Sequence, residues 1–109
     1  MSTITPGDTV CTLINVFTVT PEDQQRLIDA LDEATARVMR LLPGFISANI
    51  HKGLDGTRVT NYAQWASRDA FEAMLHVPDA RTHMEEVTRI ARAEPYLYEV
   101  VTTYEAPVR

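Results

Sequence analysis

Residues 45–65 read FISANIHKGLDGTRVTNYAQW, and this stretch decides the fold. Its two flanks, residues 45–51 and 58–65, are rich in β-branched and aromatic side chains, which is typical of strands. Between them, residues 53–57 supply two glycines and an aspartate, which favour a turn. The stretch therefore predicts a β-hairpin near the middle of the chain.

A strand and a helix are predicted before the hairpin. Residues 9–18 (TVCTLINVFT) are β-branched and aromatic over a short run, which indicates a strand. Thr20 suits a helix N-cap and Pro21 the first helical position, and apolar residues then recur every three or four positions up to residue 42. The Pro-Gly pair at residues 43–44 ends this helix, because the residue before a proline avoids helical angles.

A second helical region and a last strand are predicted after the hairpin. Ser67 can cap a short helix, and Pro78 marks a restart of the helical pattern, which continues over residues 79–92. Pro95 is expected to close this region. Residues 96–104 (YLYEVVTTY) then have the composition of a strand.

The predicted order β-α-β-β-α-β is that of the split βαβ, ferredoxin-like motif. The expected class is α+β, with a four-stranded antiparallel sheet and helices on one face. The uncovered face would expose apolar residues such as Ile14, Val16, Tyr62 and Val101, which is more than suits a soluble monomer. We therefore expect a homodimer that pairs these faces, a dimeric α/β barrel.

Length and composition fit one ordinary domain. A chain of 109 residues is long enough for one core and too short for two, and 45% hydrophobic with 23% charged residues is close to globular averages. We expect a flexible terminus over residues 1–8 and a single domain over residues 9–105.

Charge and targeting signals exclude several classes of protein. A net charge of −5 argues against nucleic-acid partners, because phosphate affinity needs clustered Lys and Arg. We see no signal-peptide pattern and no run near the ~20 apolar residues of a membrane span, so we expect a cytoplasmic protein without membrane contact. The single cysteine, Cys11, excludes an intrachain disulfide and a multi-cysteine metal site, and we interpret it as a small buried hydrophobe.

Two asparagines stand among apolar residues on strands predicted to be neighbours. Strand alternation places Asn15 on one side with Leu13 and Phe17, and Asn61 on one side with Trp65. The first and third strands are central in this fold, so the two amides should lie close together. An unpaired buried amide costs about 1 to 3 kcal/mol. The pair is therefore either mutually bonded and structural, with Trp65 as a core residue, or it awaits a ligand.

The ligand alternative is a mostly apolar cavity between the sheet and the helices, suited to a flat organic molecule. Trp65 would form one wall, and the two amides would fix the polar atoms of the ligand. Side chains of the first strand and of the second helical region would complete the lining. These candidate substrate-binding residues are Phe17, Phe71, Met74, Leu75, His83 and Val87.

Two segments carry a resemblance to a known family. Residues 42–45 (LPGF) and 55–65 (DGTRVTNYAQW), followed by Ala70 and Phe71, resemble the antibiotic biosynthesis monooxygenase family. The resemblance runs over residues 12–104 and is greatest to the anthrone and naphthacenone oxygenases of aromatic polyketide pathways. It implies a ferredoxin-like homodimer that binds a small aromatic polyketide and uses O₂ as co-substrate, with no metal, flavin or other cofactor.

The resemblance also implies a catalytic set and a mechanism. In those oxygenases a strand-one asparagine and the Asn and Trp of the NYAQW run are linked to catalysis, which here implies Asn15, Asn61 and Trp65. Their substrate loses a C–H proton to give a carbanion, which passes an electron to O₂ and forms a peroxide. Loss of water then yields the quinone. The two amides would hydrogen-bond the enolate or peroxide oxygens, and Trp65 would bind the ring face.

The catalytic base is left open by the sequence. His83 shares a predicted helix face with Val87, and imidazole exchanges protons near neutral pH, so it is a candidate base if that face meets the cavity. The alternative is a half-buried histidine with structural bonds. His51 and His76 are interpreted as surface residues. Some related oxygenases carry a tyrosine where this chain has Phe71, so that hydroxyl is absent here.

Two other functions compete with the oxygenase. A haem-degrading monooxygenase of this fold would use Asn15 and His83, but it would place a tryptophan near Met74, whereas Trp65 lies on the preceding strand. The other alternative is a dimer that binds a small ligand and performs no chemistry.

Overall fold

The computed structural model describes residues 9–108, so the terminus predicted over residues 1–8, and residue 109, lie outside the described part of the chain. Four strands form one antiparallel sheet in the order β2-β3-β1-β4. The predicted ferredoxin-like α+β class is confirmed. The strands are β1 (Cys11–Thr18), β2 (Phe45–Lys52), β3 (Arg58–Trp65) and β4 (Arg92–Tyr98).

Three α-helices lie in the two crossovers. They are α1 (Gln24–Arg37), α2 (Arg68–Met74) and α3 (Pro78–Ile90), with short 3₁₀ turns at Pro21–Asp23 and Met39–Leu41. Ser67 caps α2 as predicted, since its Oγ accepts the Ala70 N–H at 3.1 Å. None of the helices in the described part of the chain is long and apolar enough to cross a membrane.

Both ends of the first predicted helix need correction. Thr20 takes the predicted N-cap position and Pro21 follows it, but they begin the 3₁₀ turn Pro21–Asp23 that precedes α1. The Thr20 side chain accepts no backbone N–H, and its hydroxyl donates to the Asp23 carboxylate at 3.4 Å. At the other end α1 stops at Arg37, five residues before the predicted limit, because the backbone of Val38 leaves helical angles. The last apolar residues of the predicted helix therefore lie in or beside the 3₁₀ turn Met39–Leu41, which precedes β2.

The last strand was predicted too late in the chain. It covers Arg92–Tyr98 rather than residues 96–104, and Pro95, expected to precede it, pairs with Asn15 inside it. β4 is an edge strand, and an edge strand tolerates a proline where the missing N–H would point away from its one neighbour. Residues 99–108 follow without helix or strand.

The outer face of the sheet is less exposed than the sequence predicted. Ile14, Val16 and Tyr62 are half-buried, and Val101, although 80% exposed, lies beyond the sheet altogether. Of the eight large apolar side chains that are exposed among the described residues, three lie before β3, namely Leu41, Ile46 and Leu54. The other five lie in or after β4. They are Tyr96, Tyr98, Val101, Tyr104 and Val108.

The buried side chains form two clusters between the sheet and the helices. One surrounds Trp65 and includes Leu13 and Phe71, and Cys11 belongs to it as the predicted buried hydrophobe. Burial raises the pKa of the Cys11 thiol. The other cluster is built around the fully buried Leu27 of α1. The candidate site lies where the two clusters meet.

The β2–β3 turn is tied to α1 by a buried glutamine. Gln24 Nε2 donates to the carbonyl oxygens of Gly53 (2.9 Å) and Arg58 (3.0 Å). Within the turn, Asp55 Oδ1 accepts from the backbone N–H and the hydroxyl of Thr57, and these bonds lower the pKa of the Asp55 carboxyl. The turn predicted over residues 53–57 is thus confirmed and fixed to the first helix.

Candidate active site

A cavity of about 270 Å³ lies between the inner face of the sheet and the helices. It is mostly apolar, and side chains of all four strands and all three helices contribute to its lining. Every candidate site residue predicted from the sequence is in that lining. The nine are Asn15, Asn61, Trp65, Phe17, Phe71, Met74, Leu75, His83 and Val87.

Asn15 and Asn61 are directly opposite each other on β1 and β3. Alternation along both strands turns their side chains to the inner face, where both reach the cavity. The Oδ1 atoms of both residues are buried and accept no hydrogen bond. The two amides therefore do not hydrogen-bond to each other, and the alternative of a mutually bonded structural pair is excluded.

The two amides leave both kinds of hydrogen-bonding group available to a ligand. Each amide has a carbonyl oxygen that accepts and an NH₂ group that donates. A buried polar group without a partner costs about 1 to 3 kcal/mol, so the pair destabilises the unliganded fold unless a ligand or water satisfies it. The arrangement suits a molecule that presents a carbonyl or enolate oxygen beside a hydroxyl.

Trp65 forms an aromatic wall at the C-terminal end of β3. Only 2% of its surface is exposed, and its ring meets Phe45 edge-on (centroids 5.4 Å apart, 89°) and Phe71 (6.3 Å, 76°). These contacts hold the indole in one orientation. Within the described part of the chain the indole N–H donates no hydrogen bond, so it is available to a ligand.

His83 reaches the cavity from α3. It lies on the same helix face as Ala80 and Val87, both buried, and is itself half-buried. Within residues 9–108 it takes part in no hydrogen bond or ion pair, so no described residue supports the alternative of a structurally bonded histidine. His51 and His76 are exposed, as predicted.

Sequence reasoning missed the wall that α1 contributes. Leu31 and Ala34 of α1 line the cavity, but an apolar helix stripe does not distinguish a cavity wall from a core, and Thr35 beside them carries no sequence signal. From α3, Thr88 also lines the cavity, although its hydroxyl is engaged with the Glu85 carbonyl oxygen at 3.0 Å. Thr35 adds a hydroxyl without a partner in the described residues.

The lining carries very little charge. Its described residues include no Asp, Glu, Lys, Arg, Tyr or Cys, and His83 is the one ionisable side chain among them. Across residues 9–108 there is no group of three or more His, Cys, Asp or Glu side chains that could hold a metal ion. A ligand here meets apolar walls, two amides, an indole and one imidazole.

Sequence comparison gives two matches that cover most of the chain. The family model described as "Antibiotic biosynthesis monooxygenase" matches residues 11–86. Tetracenomycin-F1 monooxygenase of Streptomyces glaucescens is 41% identical over 106 residues, which cover 97% of this chain and 95% of that protein.

Solved structures show the same fold. SnoaB, a cofactor-independent oxygenase from Streptomyces nogalater, superposes with a TM-score of 0.71 at 23% identity, over 87% of this chain and 96% of that one. The ActVA-Orf6 monooxygenase of Streptomyces coelicolor, solved in complex with the ligand nanaomycin D, gives a TM-score of 0.79 at 22% identity, over 92% and 94% of the two chains.

Proposed function

We propose, since this chain belongs to the antibiotic biosynthesis monooxygenase family, that it is a cofactor-independent monooxygenase that oxidises an anthrone-type aromatic polyketide to a quinone. The name of its 41% identical relative supports monooxygenase chemistry. The description of SnoaB as cofactor-independent supports a reaction whose electrons come from the substrate.

The observation that carries the proposal is the unbonded pair of Asn15 and Asn61 in an apolar cavity. An anthrone has a ketone on a flat ring system, and in many polyketides hydroxyl groups flank that ketone. Amide N–H groups then donate to the ketone oxygen, and amide carbonyl oxygens accept from the hydroxyls. The flat rings lie against Trp65, and the apolar walls cover the rest.

The proposed reaction balances with O₂ as its one oxidant and without an added reductant. The methylene carbon of the anthrone loses a proton and leaves a carbanion delocalised onto the ketone oxygen. The carbanion passes one electron to O₂, and the two radicals combine to a peroxide anion that takes up a proton. Loss of the second C–H proton with departure of hydroxide leaves the new carbonyl and water. One anthrone and one O₂ therefore give one quinone and one water.

The protein's part in this scheme is orientation and electrostatic stabilisation. Negative charge develops first on the enolate oxygen and then on the peroxide, and donors held ready in a dry cavity stabilise such charge more than water does. Asn15 and Asn61 are assigned the first of these charges, on the enolate oxygen, because that atom is the former ketone oxygen that the amides bind. Trp65, held by Phe45 and Phe71, fixes the plane of the rings and offers its indole N–H.

Aerobic oxidation of anthrone by the purified protein, with a metal chelator present, tests the proposal. We expect quinone formation and O₂ uptake in equal amounts. Asn61→Ala and Trp65→Ala should each lower kcat by about 10²-fold, the usual cost of removing one preorganised donor. Asn49→Ala is the matched control, because Asn49 is an exposed asparagine on β2 outside the cavity.

Three results would contradict the proposed oxygenase activity. These are equal turnover by wild type and both variants, activity that needs added metal or flavin, and anthrone binding without any quinone. The last would favour a ligand-binding dimer. A Soret shift on adding haem that disappears in His83→Ala would favour the haem-degrading alternative.

We also propose that the working form is a homodimer. Tyr96 and Tyr98 on the edge strand β4, with Val101 and Tyr104 beyond it, are large exposed apolar side chains close together in the chain. A concentration of this kind suits contact with another protein surface. A second copy is the partner that the family resemblance implies.

A further inference from the structure

His83 is the one ionisable side chain among the described residues that line the cavity. The proposed reaction must remove a proton from carbon twice, so a group that accepts protons near neutral pH is needed beside the substrate. We infer that His83 is the catalytic base that takes these protons. The inference rests on the proposed oxidation and assigns its proton transfers to one residue.

The position of His83 meets the geometric requirement for a base. Ala80 and Val87 lie about one helical turn before and after His83, and both are buried. The face of α3 that carries His83 is therefore directed inward. His83 faces the cavity from the helix side, whereas Asn15 and Asn61 face it from the sheet side. A flat substrate between them has its ketone oxygen toward the amides and a C–H bond toward the imidazole.

The hydrogen-bonding state of His83 also suits a base. In the described part of the chain neither ring nitrogen has a partner, so a nitrogen lone pair is free to receive a proton. A histidine held by a structural bond or an ion pair would have to break that contact first. His83 needs no such rearrangement.

Other groups near the cavity are unsuited to this role. Amides such as those of Asn15 and Asn61 do not accept protons near neutral pH. Cys11 is outside the lining, and burial raises the pKa of its thiol, which keeps the proton on sulfur. Phe71 has no hydroxyl. The imidazole is the one remaining acceptor among these side chains.

The proton balance with His83 is complete. The imidazole takes the first C–H proton while the electron pair stays on the substrate carbon. The resulting imidazolium returns that proton to the peroxide anion formed with O₂. The neutral imidazole then takes the second C–H proton as the peroxide O–O bond breaks, and it passes this proton to the leaving hydroxide to form water. His83 ends the cycle neutral and unchanged.

Hydrogen exchange without O₂ isolates the first proton transfer from the oxidation. Anthrone is incubated with the full-length protein in anaerobic D₂O, and deuterium in its methylene group is followed by mass spectrometry or NMR. We expect wild type to accelerate exchange and His83→Ala to lose about 10²-fold or more of this acceleration. His83→Gln, which still forms hydrogen bonds but does not titrate, should lose it equally. Added imidazole should restore exchange in His83→Ala.

Control variants and a separate oxidation assay make the outcomes distinct. His76→Ala removes an exposed histidine outside the lining and should exchange like wild type. Alanine and glutamine are good helix formers, and circular dichroism checks that α3 remains folded. The inference is overturned if His83→Ala or His83→Gln exchanges at the wild-type rate, or if wild type oxidises anthrone without accelerating exchange. If wild type neither exchanges nor oxidises anthrone, the proposed function fails as well.

Discussion

Asn15 and Asn61 show at the scale of single residues how a site is kept ready at a cost in stability. Both amides face an apolar cavity, and both Oδ1 atoms are buried without a donor. A sequence under pressure for stability alone would place apolar side chains at these two positions. The same feature that destabilises the unliganded protein is the one that, under the proposed function, binds an oxygenated aromatic ring.

Leucine at either position should therefore stabilise the protein and inactivate it. Asn15→Leu and Asn61→Leu each remove an unsatisfied buried amide, and the adjoining cavity accommodates the larger side chain. We expect the free energy of unfolding to rise by about 1 kcal/mol, which is about 4 to 8 °C in Tm for a domain of this size. Oxidation of anthrone should fall about 10²-fold.

Thermal unfolding by circular dichroism, paired with O₂ uptake, measures both effects. The control is Asn49→Leu on the exposed side of β2. It should not raise Tm, because Asn49 already has a partner: it donates to the Tyr62 carbonyl oxygen at 3.2 Å. If the Leu variants are less stable than wild type and keep full activity, the two amides are neither a cost to stability nor part of the substrate site.

At the scale of elements, two glycines with the same backbone angle have different structural roles. Gly44 before β2 and Gly56 in the β2–β3 turn both have φ of +84°. A Cβ on Gly56 would meet Pro21 at an ordinary contact distance of 3.5 Å, whereas a Cβ on Gly44 would overlap the Ala70 side chain of α2. Gly44 thus allows α2, which carries Phe71, to approach the sheet.

Gly44→Ala should consequently be more damaging than Gly56→Ala. The positive φ alone costs an alanine about 1 to 2 kcal/mol, which is the expected loss for Gly56→Ala. Gly44→Ala adds the overlap with α2, for a total of about 3 kcal/mol. Urea unfolding of the two variants measures the difference, and equal losses would contradict a close approach of α2 at Gly44.

At the scale of the whole molecule, the exposed apolar residues near the C-terminus lead to a prediction about assembly. The 12.3 kDa chain should sediment with about twice that mass at micromolar concentration. Replacing Tyr96 and Tyr98 together by aspartate should shift it toward the monomer, because two charges would then be buried in the interface. A wild-type monomer over the whole concentration range would contradict the proposed homodimer.

Local patterns in the sequence were enough to predict most of the architecture. Residues 58–65 were predicted as a strand and are β3, and the order β-α-β-β-α-β is confirmed, because composition and turn chemistry act over a few neighbouring residues. Strand alternation also identified the inward side chains of β1 and β3, since a period of two follows from the backbone alone. The predicted strand order and the alternation of side chains were together sufficient to place Asn15, Asn61 and Trp65 on one face of the sheet.

Tertiary structure decided the features that depend on distant partners. Pro95 is tolerated within β4 because that strand is at the edge of the sheet. The helix α1 ends early because the chain turns through a 3₁₀ segment to reach β2. Whether the two amides bond to each other, and whether His83 has a partner, depends on side chains brought together from separate elements. The sequence by itself determined which residues share a face, because that follows from local geometry. Only the packed molecule decided which of them are left unpaired around a cavity.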